Sequence, residues 1–264
     1  MELFIILFLF ATGLVMGSFY NVVIFRVPEE KSIVKPRSAC GSCGTVLKTA
    51  DLIPVFSYIF LKGKCRYCKE KISAQYPLVE LLSGLIFVVL YLKFGLAIEL
   101  FFSIYIMSVL LIVFFIDLKH QIIPNGLVLA GLIGSAAFFV LRFWYQDAIL
   151  DGDPWYSPLL GMVATSGFLF LVAMLGLLIY KGEAMGMGDV KIFLPIGLFL
   201  GLKLGIMALV FSVVIGGLSG LFLIITKLKD RKSQIPFGPY IVAGTFLSLM
   251  FGQQVLMWYL GTFR

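Results

Sequence analysis

Apolar residues run along this chain in blocks far longer than a soluble helix needs. Stretches near 3–24, 77–93, 97–116, 123–142, 158–180, 190–202, 204–226 and 238–261 carry almost no charge. About 20 such residues carry a helix across a bilayer, where no water is present to satisfy open backbone groups. The first block has one early charge, Glu2, and no basic start, which reads as a retained span rather than a cleaved signal. The run from 190 to 226 is too long for one ordinary helix, and Gly201-Leu202-Lys203 in its middle reads as a tight turn. The pattern predicts an all-α polytopic membrane protein with about eight transmembrane helices; taking 190–226 as one span gives seven.

Composition supports this reading. Of 264 residues, 61% are hydrophobic and 13% charged, about half the charged share of ordinary soluble domains, and the mean hydropathy is +1.05. That excludes a soluble globular enzyme, a disordered chain and a disulfide-rich secreted module. The net charge of +7 is best explained by orientation. With eight spans and both termini outside, 17 of the 21 basic residues fall on the inner side, leaving Lys93, Arg142, Lys203 and Arg264 outside. The inner set includes Lys119, Lys181, Lys191 and the Lys227–Lys232 loop, while the long outer loop is acidic at Asp147, Asp151 and Asp153. Seven spans would put the basic 227–232 loop outside. No nucleic-acid partner is expected; the surroundings are membrane lipid.

The only sizeable polar segment, residues 26–76, holds all four cysteines, as Cys40-Gly-Ser-Cys43 and Cys65-Arg-Tyr-Cys68. Two residues between cysteines let a tight turn aim both thiolates at one ion, with Gly41 and Gly44 as permissive backbone. Two such knuckles close a tetrahedral site, so Cys40, Cys43, Cys65 and Cys68 are candidate ligands of a structural zinc. Two disulfides or four free thiols are the alternatives, and a reducing inner side disfavours the former. The expected organisation is a first transmembrane helix at 1–25, a cytoplasmic four-cysteine zinc-binding insertion at 26–76, and a transmembrane catalytic domain at 77–264.

Acidic residues at the membrane are scarce, so each requires a reason. Asp117 ends the third apolar block and Asp189 opens the sixth, within Gly186-Met187-Gly188-Asp189-Val190-Lys191. The orientation drawn from basic residues puts both at the inner boundary, whichever span count holds. Two carboxylates held close together share one proton, so one can activate water while the other polarises a peptide carbonyl. Gly186 and Gly188 would let an extended substrate lie beside Asp189. The alternative is structural: each aspartate caps a helix or pairs with Lys119 or Lys191. Lys191 could also tune the charge of the pair or reach to the interface. Asn21 reads as a tie between helices or a substrate contact, and Glu80 as half of a buried pair or a methyl-donor contact. Pro236 and Pro239 read as the start of the last helix.

Gly-x-Gly-Asp at 186–189, the second aspartate and the double-knuckle loop together resemble the type IV prepilin peptidase family. So do Gly17-Ser18-Phe19-Tyr20-Asn21-Val22-Val23-Ile24-Phe25-Arg26-Val27-Pro28, Tyr76-Pro77-Leu78-Val79-Glu80-Leu81-Leu82 and Pro236-Phe237-Gly238-Pro239-Tyr240. The resemblance implies a bacterial inner-membrane GxGD-type aspartic endopeptidase that removes the short leader of prepilins or pseudopilins, on the cytoplasmic side, after a glycine. It places Asp117 and Asp189 at the catalytic pair, with Gly186, Gly188 and Lys191 supporting the loop. It also implies N-methylation of the new terminus with S-adenosylmethionine, although no strand–Gly-x-Gly-x-x-Gly–helix fingerprint marks a donor site. Two other classes remain open. A proton- or cation-coupled transporter could use the two aspartates, and a zinc-stabilised scaffold would need only the cysteines.

Overall fold

The computed structural model describes residues 1–145, 149–150, 152–180, 185–228 and 235–262, without the side chains of residues 180 and 260. Among the expected charge signals, Asp147, Asp151, Lys181, Lys229, Arg231, Lys232 and Arg264 lie outside the described residues. The described chain is helical, and its only strand pairing is two isolated bridges within the cysteine segment. Long helices form where apolar runs are uninterrupted: α1 (Glu2–Arg26), α3 (Gln75–Phe94), α4 (Ile98–His120), α5 (Asn125–Leu141), α6 (Ser157–Tyr180), α7 (Met187–Ile225) and α8 (Gly238–Thr262). A five-residue helix, α2 (Phe56–Phe60), lies in the insertion. Six of these are long and apolar enough to cross a membrane, and α5 is a shorter apolar helix. Large apolar side chains such as Leu3, Phe8, Leu171, Leu178 and Phe222 face outward. Helices apolar on every side suit a lipid solvent, and the protein is a multi-pass membrane protein.

α7 is not one span. Gly201 has φ 72° and ψ −174°, a conformation open to glycine but not to a helix. A Cβ built on Gly205 would lie 3.6 Å from the Cα of Gly197. Eight residues along a continuous helix would separate those positions by about 12 Å, so the chain folds back at Gly201 into two arms, 187–200 and 202–225. The expected turn is present, and with α5 it gives eight apolar segments.

Contacts divide the chain into two compact units, Met1–Leu96 and Ala97–Arg264. In the first, α1 packs on α3 backbone to backbone: a Cβ on Gly13 would meet Gly84 Cα at 2.6 Å, and one on Gly17 would meet Glu80 Cα at 2.6 Å. Small residues one turn apart allow this approach between apolar helices, where lipid gives no hydrophobic drive to associate. Asn21 adds a polar tie, donating from Nδ2 to the Tyr76 carbonyl at 3.0 Å, which bears out its helix-tying role. Among the described residues Glu80 has no basic partner: its Oε2 accepts the Val55 N–H at 2.7 Å, anchoring the insertion to α3.

In the second unit α7 is the centre, packed against α5, α6 and α8. Gly161 of α6 meets Gly197 and Gly201 at backbone distance. Hydroxyls satisfy α7 carbonyls across helix boundaries, from Ser135 to Pro195 at 2.9 Å, Ser166 to Val190 at 2.9 Å and Ser248 to Leu204 at 2.6 Å. The Gly201 end carries polar anchors: Ser157 Oγ accepts Leu202 N–H and donates to Asp153, and Asp153 also pairs with Lys203. Exposed Trp144, Tyr145, Trp155 and Tyr156 flank the connection between α5 and α6, as aromatic residues do at a membrane–water interface.

Candidate active site and metal centre

The two aspartates belong to the second unit, one in the last turn of α4 and the other in the first turn of α7, at the end of that arm away from Gly201. Asp117 sits in the last turn of α4, which stops when Gln121 turns left-handed at φ 54° ahead of Pro124. Its side chain is buried (4% exposed). The Gly238 N–H, first in α8, donates to its Oδ2 at 2.8 Å. Asp189 lies in the first turn of α7 and is half-buried, its own N–H bonded to the Gly186 carbonyl at 3.1 Å. It is near enough to Asp117 for the charge there to act on it.

The glycines of Gly186-Met187-Gly188-Asp189 have separate tasks. Gly186 is extended and caps α7, and a Cβ on it would lie 3.3 Å from Asp189 Oδ2. Gly188 faces Ile123, where a Cβ would come within 3.0 Å. The clearance at Gly188 is therefore used by the chain itself, to seat the start of α7 against the loop after Asp117. Lys191 donates to Asn125 Oδ1 at 3.1 Å, tying α7 to the start of α5.

Gly238 was not singled out from sequence as a site residue. A Cβ there would fall 2.6 Å from Asp117 Oδ2 and 2.9 Å from its Cβ and Cγ, so any side chain displaces the carboxylate. The Gly between Pro236 and Pro239 was the available signal, but its partner lies 121 positions away. With Asp117 in the catalytic role that the resemblance implies, Gly238→Ala is expected to lower the cleavage it would perform on the order of a hundredfold, since a shift of about 1 Å at a reacting group can do so. Initial rates on a purified substrate, beside the melting temperature of the variant, check this.

The cysteines gather in the first unit. Their four sulfurs lie within 4.8 Å of one another, and Cys40 and Cys68 are 3.9 Å apart. Sulfurs at ~2.3 Å from a shared zinc in a tetrahedron are about 3.8 Å apart, so the donor set fits one soft metal ion. Each knuckle is a small hairpin, closed by Cys40 N–H to Thr45 carbonyl and by Cys65 N–H to Glu70 carbonyl. A left-handed residue follows each second cysteine, Gly44 at φ 69° and Lys69 at φ 62°; Gly41 is not in that region. The N–H groups of Cys43 and Ser42 hold the Cys40 thiol below its usual range, and those of Cys68 and Tyr67 do the same for Cys65.

Asp51 secures the second knuckle, with Oδ1 2.6 Å from Arg66 Nε and Oδ2 accepting from Tyr67 OH and Lys48 N–H. Arg66 holds this carboxyl below the ordinary carboxylate range. A depressed value means its stabilisation is present at neutral pH and lost as pH falls through the folded value. Asp51→Ala should loosen the insertion, since Arg66, Tyr67 and the Lys48 N–H lose the one carboxylate they share. Faster metal loss to a chelator at neutral pH is the expected readout, and an unchanged rate would count against this anchoring.

Fold and site define a multi-pass helical membrane protein with a paired-carboxylate centre in one unit and a four-cysteine centre in the other. The chain belongs to the type IV leader peptidase family. The model of that family matches residues 104–221, and that of the bacterial peptidase A24 N-terminal domain matches residues 11–94. The chain is 38% identical over 252 residues to the prepilin leader peptidase/N-methyltransferase of Bacillus subtilis (strain 168), covering 96% of each chain. It is 31% identical over 288 residues to the protein of the same name from Aeromonas salmonicida (strain A449), covering 98% of this chain and 94% of the relative. Another, from Pseudomonas aeruginosa, is 31% identical over 274 residues, covering 94% and 91%. No solved structure matches the chain at a significant level.

Proposed function

We propose that this protein is a bacterial inner-membrane aspartic endopeptidase that cuts the leader from type IV prepilins or pseudopilins after a glycine. We further propose that it methylates the new N-terminal amine using S-adenosylmethionine. The observation that carries the peptidase reading is the placement of Asp117 and Asp189 at the ends of α4 and α7, near enough for charge on one to act on the other, in a chain of this family. In this mechanism the pair shares one proton. The ionised carboxylate removes a proton from water, which attacks the peptide carbonyl, and the protonated partner hydrogen-bonds the carbonyl oxygen and then protonates the leaving amine. Gly238 holds Asp117 in register, and Gly188 and Lys191 hold the first turn of α7.

Cys40, Cys43, Cys65 and Cys68 would hold a structural zinc. Four thiolates leave no open position for water, so the metal's task is to fold residues 26–76, not to hydrolyse. That segment, the carboxylate pair and the cut would lie on the cytoplasmic side, in keeping with the basic loops. The transporter reading loses its support with the family assignment, and the scaffold reading leaves the carboxylate pair without a role. Incubating purified protein with a full-length prepilin in detergent, with a gel shift as readout, tests the peptidase; no shift at any ratio of enzyme to substrate would overturn it.

A further inference from the structure

The first unit contains a cavity of about 540 Å³ where α1 and α3 meet the insertion, a volume suited to a small organic ligand. Its wall includes Asn21, Phe25, Arg26, Tyr76 and Glu80. Asn21 is 2% exposed, and its Nδ2 is bonded to the Gly17 and Tyr76 carbonyls. These bonds fix the amide plane, yet the buried Oδ1 has no partner among the described residues. A buried acceptor left unsatisfied costs about 1–3 kcal/mol, so this atom calls for a donor or a positive group from a ligand. Glu80, 7% exposed, lines the same cavity, its carboxylate held by the Val55 N–H and the Ser18 side chain. Phe25 and Tyr76 stack with centroids 5.0 Å apart, giving the cavity an aromatic wall. Arg26 adds positive charge, its guanidinium braced by the Ser32 and Pro36 carbonyls.

We propose that this cavity binds S-adenosylmethionine, with Glu80 and Asn21 Oδ1 serving its cationic end, the aromatic wall its adenine, and Arg26 its carboxylate. The assignment rests on the methylation reading above and gives that activity a place. A sulfonium and an ammonium close together suit a carboxylate beside an unpaired amide oxygen, and a flat heterocycle suits an aromatic face. In the transfer, the neutral α-amine nitrogen of the trimmed pilin forms the new N–C bond. The S–C bond breaks with its electron pair left on sulfur as a neutral thioether, and the methylated ammonium sheds one proton to water.

The test is binding, measured by calorimetry on the full zinc-loaded chain in detergent, with S-adenosylmethionine and its demethylated thioether, S-adenosylhomocysteine, as probes. The wild type should prefer the charged probe. Glu80→Gln, which keeps an acceptor for Val55 N–H, should weaken S-adenosylmethionine at least tenfold and reduce that preference; Asn21→Leu should weaken it as well. Independently of any variant, ultraviolet cross-linking of radiolabelled S-adenosylmethionine to the wild type should label peptides spanning 18–26 or 76–80. Labelling confined to residues 97–264, or affinities within twofold of wild type in both variants, would overturn the assignment. A protein that methylates cleaved pilin but labels elsewhere loses only this cavity, whereas one that neither binds the donor nor methylates overturns the methylation reading itself.

Discussion

Asp117→Asn and Asp189→Asn should each lower leader cleavage by at least about a thousandfold, since a positioned general acid or base contributes roughly 10²–10⁴ and here each carboxylate depends on the other. Asparagine is nearly isosteric and its oxygen can still accept the Gly238 N–H bonded to Asp117, so the helix contacts should survive. What is lost is the shared proton: an amide can neither take a proton from water nor pass one to the leaving amine. Because the two act as one unit, the double variant should be little worse than either single one. Initial rates under enzyme excess, with melting temperatures alongside, check both points. Two independent losses that multiply would mean that the aspartates serve separate steps.

Cys40→Ser with Cys65→Ser should reduce bound zinc from one per chain to essentially none. The effect is large because the segment has almost nothing else to hold it: between residues 26 and 76 only Val55 and Cys65 are buried. Structural zinc supplies on the order of 10–16 kcal/mol in comparably small domains. Without it, the Asp51–Arg66 pair and the Glu80–Val55 bond are too few to order some fifty residues. Elemental analysis of protein purified under reducing conditions gives the stoichiometry, and limited proteolysis should cut the double variant first within 26–76. A wild type with no metal would remove the zinc reading, as would a double variant that retains it.

What could be read in the sequence was what is local. Apolar runs declare spanning helices because the lipid requirement acts on every residue of the run, and Gly201 was readable as a turn because it interrupts one. The knuckles were equally visible, since two residues between cysteines already determine the turn, and the four sulfurs gather as that spacing suggests. Asp117 and Asp189 stood out because charge is rare there. Long-range packing was hidden. Nothing near Gly238 announces Asp117, nothing near Asp51 announces Arg66, and Gly13 and Gly17 reveal their purpose only beside Gly84 and Glu80. The glycines before Asp189 were legible as a motif but not in their use, because Gly188 makes room for Ile123. Lys69 was not legible at all: a left-handed lysine carries no mark in sequence.

In the proposed function this chain removes a prepilin leader with Asp117 and Asp189. Mass spectrometry of one purified prepilin, incubated side by side with the wild type and with Asp189→Asn, tests it most directly. The wild type should remove the leader at a single bond after a glycine, and the variant, melting at the same temperature, should return the substrate at its original mass. Leader removal by the variant at the wild-type rate, or an intact prepilin after wild-type treatment, would contradict it.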